Sequence, residues 1–227
     1  MQNDSLTQIK YRSLAQGAVE ALRDAIITGK LSPGMRLVEQ KLATQLGISQ
    51  PTLREALKEL EHQGFVRKFG KRGTYVTQLG PEDFRKILEV RLTLEIKAVQ
   101  LAAPRVTPEA LEELDRLVAG MEEGVRTGDL ARFHNSDLAF HSKIWEFSGN
   151  EYLGIALERV AFALFAFVLL ETDATEKFEA SVAQHREIAS GLRSRDPKIA
   201  REHFLRSTLS FWSRYHRVQP GESEFLE

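Results

Sequence analysis

The chain of 227 residues contains no cysteine. Disulfide bonds, thiol catalysis and cysteine-ligated zinc are thereby excluded. Long apolar runs are missing too: the longest, Val160 to Leu170, is about half of what a membrane span requires. The first residues are polar and lack the apolar centre of a signal peptide. The reading is a soluble, intracellular protein with no membrane partner. Net charge is nearly absent, −1 over the chain, so the protein taken whole does not look like a nucleic-acid binder. No H-E-x-x-H or comparable spacing sets a general base beside a metal, and there is no internal repeat or low-complexity tract.

The charge that is present is divided unevenly. Up to position 79 there are 12 basic and 7 acidic residues, and beyond it 19 basic and 25 acidic. A basic front on an acidic body points the front alone at a polyanion.

Residues 1–11 read as frayed. Ser13 to Thr28 is predicted helical, with Ala18, Leu22, Ala25 and Ile26 on one face and Gly29 as a stop. Leu31 to Gly34 is a turn by composition, Arg36 to Val38 a short strand, and Glu39 to Leu46 a short helix closed by Gly47. Ser49 supplies the oxygen that caps the next helix, and Pro51 fits its first turn. In that helix Leu53, Ala56, Leu57 and Leu60 form an apolar face, while Gln50, Arg54 and Lys58 recur at i, i+4, i+8 on another. Helix, tight glycine turn, capped helix is a helix-turn-helix arrangement, and the long polar side chains suit a DNA major groove. Past Gly64, strands at Phe65–Arg67 and Thr74–Val76 enclose a basic, glycine-bounded loop that carries Lys71 and Arg72. Such a hairpin is a wing whose cations lie against phosphate or enter the minor groove.

The motifs L-x-P-G-x-x-L at Leu31–Leu37, L-A-x-x-L-G-I-S at Leu42–Ser49, L-R-E-A-L-x-x-L at Leu53–Leu60, G-x-V at Gly64–Val66 and R-G-x-x-V at Arg72–Val76 follow in order. Together they resemble the winged-helix domain of the GntR family of bacterial transcription regulators, over about residues 12–78. The resemblance implies a double-stranded DNA operator, pseudo-palindromic if the protein is a homodimer, and a cytoplasmic, nucleoid-associated place in a bacterium. It assigns DNA contact to Gln40, Ser49, Gln50, Thr52, Arg54, Lys58, Lys71 and Arg72. Arg54 matches the family's most typical contacting position. Gln50 stands where the family often has Arg, and so does Gln40 for some members. An Arg fork selects guanine and Gln suits adenine, so DNA binding is implied but the family's usual operator sequence is not.

Gln78 to Pro81 marks the boundary between a first unit, 1–78, and a second, 82–217, with a tail at 218–227. The second unit is predicted to be an all-α antiparallel bundle of six helices near 82–103, 108–127, 129–148, 151–172, 175–193 and 196–217, punctuated by proline, glycine and aspartate. The fourth of these, apolar nearly all round between Val160 and Leu170, is either a central helix or part of a homodimer interface, the dimer being preferred.

Polar groups stand where this bundle needs core residues. Asp137 and His141 share a stripe with Leu130, Phe133 and Ile144; His185 lies with Phe178, Val182, Ala189 and Leu192; His203 follows Ile199 by one turn. A lone histidine so placed reads as a hydrogen-bonded core residue. One carboxylate with three histidines on three helices reads instead as a divalent metal site, because the cation removes the cost of burying the acid. D-x-x-F-H at Asp137–His141, S-G-N at Ser148–Asn150, H-x-x-I at His185–Ile188 and His203 resemble the FCD effector-binding domain of FadR-like GntR regulators, in its shorter, VanR-like variety. That resemblance implies a metal (zinc, nickel or manganese) on Asp137, His141, His185 and His203, and a small carboxylate effector near Arg91, Glu95 and Asn150. Arg91 and Glu95 also read as a plain i, i+4 ion pair. His134 lies near the Asp137/His141 face with no counterpart in the family pattern, and reads as a rim or surface residue.

The expectation is thus a mainly α, non-enzymatic transcription regulator, most simply a repressor, with operator affinity set by an organic acid on a metal. Alternatives are a regulator that senses the metal itself, a metal-dependent enzyme, and a structural metal without effector.

Overall fold

The computed structural model describes residues 13–170 and 175–216, the side chains of 81, 84, 162–170, 175–177 and 214–216 excepted. The frayed start, the tail, Asp173, the inward placing of Phe84 and most of the Val160–Leu170 run lie outside the described residues.

In the front of the chain α1 (Leu14–Ile27), β1 (Arg36–Leu37), α2 (Glu39–Leu46), α3 (Gln50–His62), β2 (Val66–Lys68) and β3 (Thr74–Val76) follow in order. Ser13 starts α1, accepting from the Gln16 amide, and the Gln16 side chain returns the bond to the Ser13 amide. Gly47 ends α2 with φ 64°, a conformation that a side chain would strain. Leu53, Ala56 and Leu60 of α3 are fully enclosed against Leu22 and Ile26 of α1 and Phe65. The sheet has three antiparallel strands in the order β1-β3-β2. Its register pairs Arg36 with Tyr75 on one side and Val66 with Val76 on the other. The expected hairpin is therefore joined by β1 along the free edge of β3, and a single 3₁₀ turn at Gly70–Arg72 forms its tip.

Beyond Gly80 come α4 (Pro81–Ala102), α5 (Pro108–Thr127), α6 (Leu130–Phe147), α7 (Glu151–Leu170), α8 (Thr175–Arg193) and α9 (Pro197–His216). Proline at the first position of α4, α5 and α9 costs no hydrogen bond, because that amide has no partner within the helix. Asp83 caps α4 through the Gly80 amide at 3.1 Å, Thr107 caps α5 and Asp129 caps α6. α5 and α6 pack closely, as do α8 and α9, and α4 lies against α6, α7 and α9. The core threads Leu88, Leu92, Leu114, Met121, Phe140, Ile144, Leu157, Ile188, Leu192 and Phe204. α1 also touches α6 and α7, so the two parts of the chain are in direct contact.

Candidate metal centre and nucleic-acid interface

Three helices deliver polar side chains into the body's interior. α4 brings Arg91 and Glu95, 3% and 1% exposed; α6 brings His134, Asp137 and His141; α8 brings His185, all buried. Asp137 and His141 lie one turn apart on α6 and so share a face. The His185 Nε2 is 2.8 Å from Asp137 Oδ1 and 3.2 Å from His141 Nε2, and His141 Nε2 is 3.9 Å from the same Oδ1. Among the described residues these three form the one group whose ligand atoms all lie within 4.8 Å of one another.

The outer nitrogens decide what this centre can do. His141 Nδ1 is 2.7 Å from Glu95 Oε1, and His185 Nδ1 is 2.7 Å from the Ser181 carbonyl. Each of those partners accepts only, which favours the tautomer with the proton on Nδ1 and the Nε2 lone pair turned inward. Asp137 adds a carboxylate oxygen. Three acceptors then converge, an arrangement that a proton or a cation relieves, as the Arg91 guanidinium 3.2 Å from His141 Nε2 does in part. Carboxylate or carbonyl behind each histidine is the support that metal-binding imidazoles ordinarily have. The donor set of two nitrogens and one oxygen, without sulfur, fits a divalent metal.

Glu95 is the hub behind the centre. Besides His141 it accepts from Arg91 Nε at 2.8 Å and Trp145 Nε1 at 3.3 Å. Burial alone would raise its pKa, but Arg91 and His141 bring it down to about 2. Asp137 is pulled the same way: burial raises its pKa, and His185 and then His141 outweigh that. Burial lowers the pKa of His141, against the pull of Glu95. Arg91 reaches past Glu95 to within 3.2 Å of His141 Nε2.

Two of the expected site residues stand elsewhere. His203 is partly exposed, its Nδ1 3.0 Å from Glu187 Oε1 without the alignment of a hydrogen bond. Its Cβ lies close above Gly191, where an added Cβ would meet it at 2.6 Å. Asn150 is exposed, and its side-chain oxygen accepts from the Leu153 amide at 3.2 Å. The S-G-N motif is thus a turn, with Gly149 at φ 67° and Asn150 starting α7. Arg91 and Glu95 are both a pair and part of the interior, two readings that the sequence had set against each other. His134 is fully buried, not at a rim, and neither ring nitrogen has a hydrogen-bond partner.

In the head, Gln40, Gln50, Arg54, Lys58, Lys71 and Arg72 are all exposed. Ser49 and Thr52 are used internally: the Ser49 hydroxyl accepts from the Thr52 amide at 3.2 Å and lies 2.8 Å from the Thr52 hydroxyl. Two further residues enter that the sequence reading passed over. Glu39, first in α2, accepts from Arg54 Nε at 2.7 Å and so holds that side chain. The Arg36 guanidinium lies under the wing at Gly73, its Nε 3.4 Å from where a Cβ would stand. An acid opening α2 just after a strand arginine was the available signal.

Two family descriptions match the chain: "Bacterial regulatory proteins, gntR family" over residues 14–76 and "FCD domain" over residues 86–208. The chain belongs to the GntR family. Its GntR relatives include the "Probable D-xylose utilization operon transcriptional repressor" of Paenarthrobacter nicotinovorans, 30% identical over 79% of this chain and 78% of that one. The "HTH-type transcriptional regulator McbR" of Escherichia coli is 29% identical over 67% of this chain and 69% of its own. The solved E. coli McbR/YncC structure shares the GntR fold, with a TM-score of 0.69 and 24% identity over 90% of this chain and all of that one. The protein is accordingly a DNA-binding transcription regulator of the GntR–FCD type and not an enzyme. Regulators of this family bind operators and typically act as dimers. FCD domains commonly bind metal, and the buried Asp137, His141 and His185 are suited to it. No helix among the described residues is long and apolar enough to cross a membrane.

Proposed function

We propose that this GntR regulator is a repressor whose operator affinity is set by a small carboxylate held on a divalent metal in the helical body. One observation carries the reading: two histidines each turn Nδ1 outward to an acceptor and bring Nε2, with an oxygen of Asp137, to one point. Asp137, His141 and His185 would hold the ion, and zinc, nickel and manganese all accept such donors. His203 would join them only after leaving Glu187. The bound ion would supply a Lewis-acidic anchor for an anionic oxygen of the effector. Arg91, already beside His141 Nε2, is placed to fork onto the same carboxylate, while Glu95 keeps the His141 ring in orientation.

Residues 1–78 take the DNA contacts and 82–217 the effector. Arg54, Gln50 and Lys58 on α3 face the bases or backbone of a half-site, with Gln40 beside them and Lys71 and Arg72 on the flanking phosphates. Two heads of a homodimer read a pseudo-palindrome on the nucleoid in the cytoplasm. Relatives named as repressors, including the "Gluconate operon transcriptional repressor" of Bacillus licheniformis, support the sign. Asn150 contributes through the α6–α7 turn and not as an effector contact.

A second reading is favoured by Arg91 being neutralised by Glu95: the metal itself is then the signal. Native mass spectrometry with metal analysis separates the outcomes. One ion per chain with a co-purified acid supports the first reading, and an ion alone that shifts operator affinity supports the second. A protein that never binds an ion would overturn both. The His185→Ala variant should lose the ion, and full occupancy there would remove His185 from the site.

A further inference from the structure

His134 does no work in the function proposed so far, yet it is among the most enclosed polar residues of the chain, 1% exposed with both ring nitrogens unpartnered. Buried polar groups in proteins are nearly always satisfied, so one that is not calls for a cause. It stands one helical turn before Asp137 on α6, on the side of the helix that meets the head. There its ring meets Phe65 edge to face, with centroids 5.7 Å apart and planes at 77°.

Phe65 is the junction of the reading head. Its amide donates to the Leu60 carbonyl of α3, and its own carbonyl accepts from the Thr77 amide at the end of the wing. The wing is bound to α3 a second time, where the Lys68 amide donates to Glu61 at 3.0 Å. A push on Phe65 therefore moves reading helix and wing together. On the same side α1 packs on both α6 and α3, and its Arg23 carries a buried Nε that is likewise without a partner. Burial, opposed by the Asp137 charge and helped by Arg23, pushes the His134 pKa down to about 4, so the ring is neutral near pH 7.

Resting on the metal site proposed above, we infer that His134 is a positioning residue: it passes the state of the Asp137–His141–His185 centre through Phe65 to α3 and the wing. An ion held by Asp137, His141 and His185 would set the spacing of their donor atoms, now 2.8 to 3.9 Å, and so fix where α6 lies against α8. His134, rigid on that helix and close-packed on Phe65, carries the setting to the head. Close-packed contacts transmit such shifts because they cannot deform freely.

The test measures operator affinity of the full chain, stripped with chelator and then saturated with whichever of zinc, nickel or manganese chloride calorimetry shows to bind. The duplex is one selected by the protein from a random pool. Wild type should change its affinity by about tenfold between the two states, within the usual span of allosteric coupling. In His134→Leu, which removes the unpartnered nitrogens and should fold, metal affinity should stay within about threefold while the ratio falls below about threefold. Phe65→Leu should lower the same ratio, and the double variant should add nothing further, since both act on one contact. A merely structural role would shift the stripped and loaded affinities alike and leave their ratio intact. A wild-type ratio retained in His134→Leu overturns this inference alone, as does a wild type that binds the ion with no change in operator affinity. Failure of the wild type to bind any ion overturns the metal reading and this inference with it.

Discussion

Glu95 shows what a single buried acid does here. It is 1% exposed and meets Arg91, His141 and Trp145 at once. Removing one member of a buried ion pair leaves the other uncompensated, which typically costs about 3–5 kcal/mol. Glu95→Gln should therefore lower stability in a urea titration by that order, and should loosen metal binding as His141 loses its orientation. The pH dependence follows from the same group. Its pKa in the fold is near 2 against 4.5 outside it, so its contribution is fully present above pH 4.5 and is lost as pH falls through that interval toward 2. The shift corresponds to roughly 3 kcal/mol. His134, lowered from 6.5 to about 4, acts in the same direction at higher pH: the unfolded chain takes up a proton that the fold refuses, so stability declines as pH falls from 6.5 to 4. His141, lowered by burial, adds to this. Chelator-treated protein should thus lose stability on acidification well before the carboxylates titrate, and His134→Leu should flatten that upper limb. An unchanged limb in the variant would place the titrating group elsewhere.

α3 is the element in which sequence and structure agree most closely. The Ser49 cap, the enclosed Leu53, Ala56 and Leu60, and the outward Gln50, Arg54 and Lys58 all follow from spacing. Arg54→Ala should weaken operator binding by about 1–3 kcal/mol and leave the melting temperature nearly unchanged, because the Arg54–Glu39 pair is exposed and such pairs contribute little to stability. Equal affinity in a mobility-shift assay would deny α3 its reading role. The helices of the body were legible for the same local reasons: Pro81, Pro108 and Pro197 open them, and Gly128 closes α5 in the left-handed region. What escaped the sequence depends on partners far along the chain. β1 joins β3 through backbone bonds that a two-residue strand hardly signals. His203 faces Glu187, and His134 meets Phe65, because of how whole helices pack. Gly124 was silent for the same reason. A Cβ there would stand 2.7 Å from the Phe133 amide nitrogen, so α5 and α6 touch backbone to backbone. Gly124→Ala should force them apart and cost about 1–3 kcal/mol by overpacking. Since Phe133 precedes His134, its operator response to metal should weaken too.

At the scale of the molecule, the charge split and the placing of the polar cluster divide the work. Exposed cations at Arg36, Arg54, Lys58, Lys71 and Arg72 belong to the head, whereas among the described residues the buried acids of the body, Glu95 and Asp137, are paired inside with Arg91 and the histidines. The proposed ion would join α6 directly to α8, and through Glu95 and His141 it would also engage α4. An ion that binds the folded chain alone stabilises it by mass action, about 2.7 kcal/mol at a hundred times its dissociation constant. Stripping the ion should therefore lower the melting temperature, and restoring it should return the loss. The gain should shrink on acidification, because a proton and the metal compete for the same ring nitrogen of His141. Asp137→Ala separates this from a general salt effect. It removes the one carboxylate among the three donors, so added ion should no longer raise its melting temperature, while the exposed surface pairs, which respond to ionic strength, remain as they were.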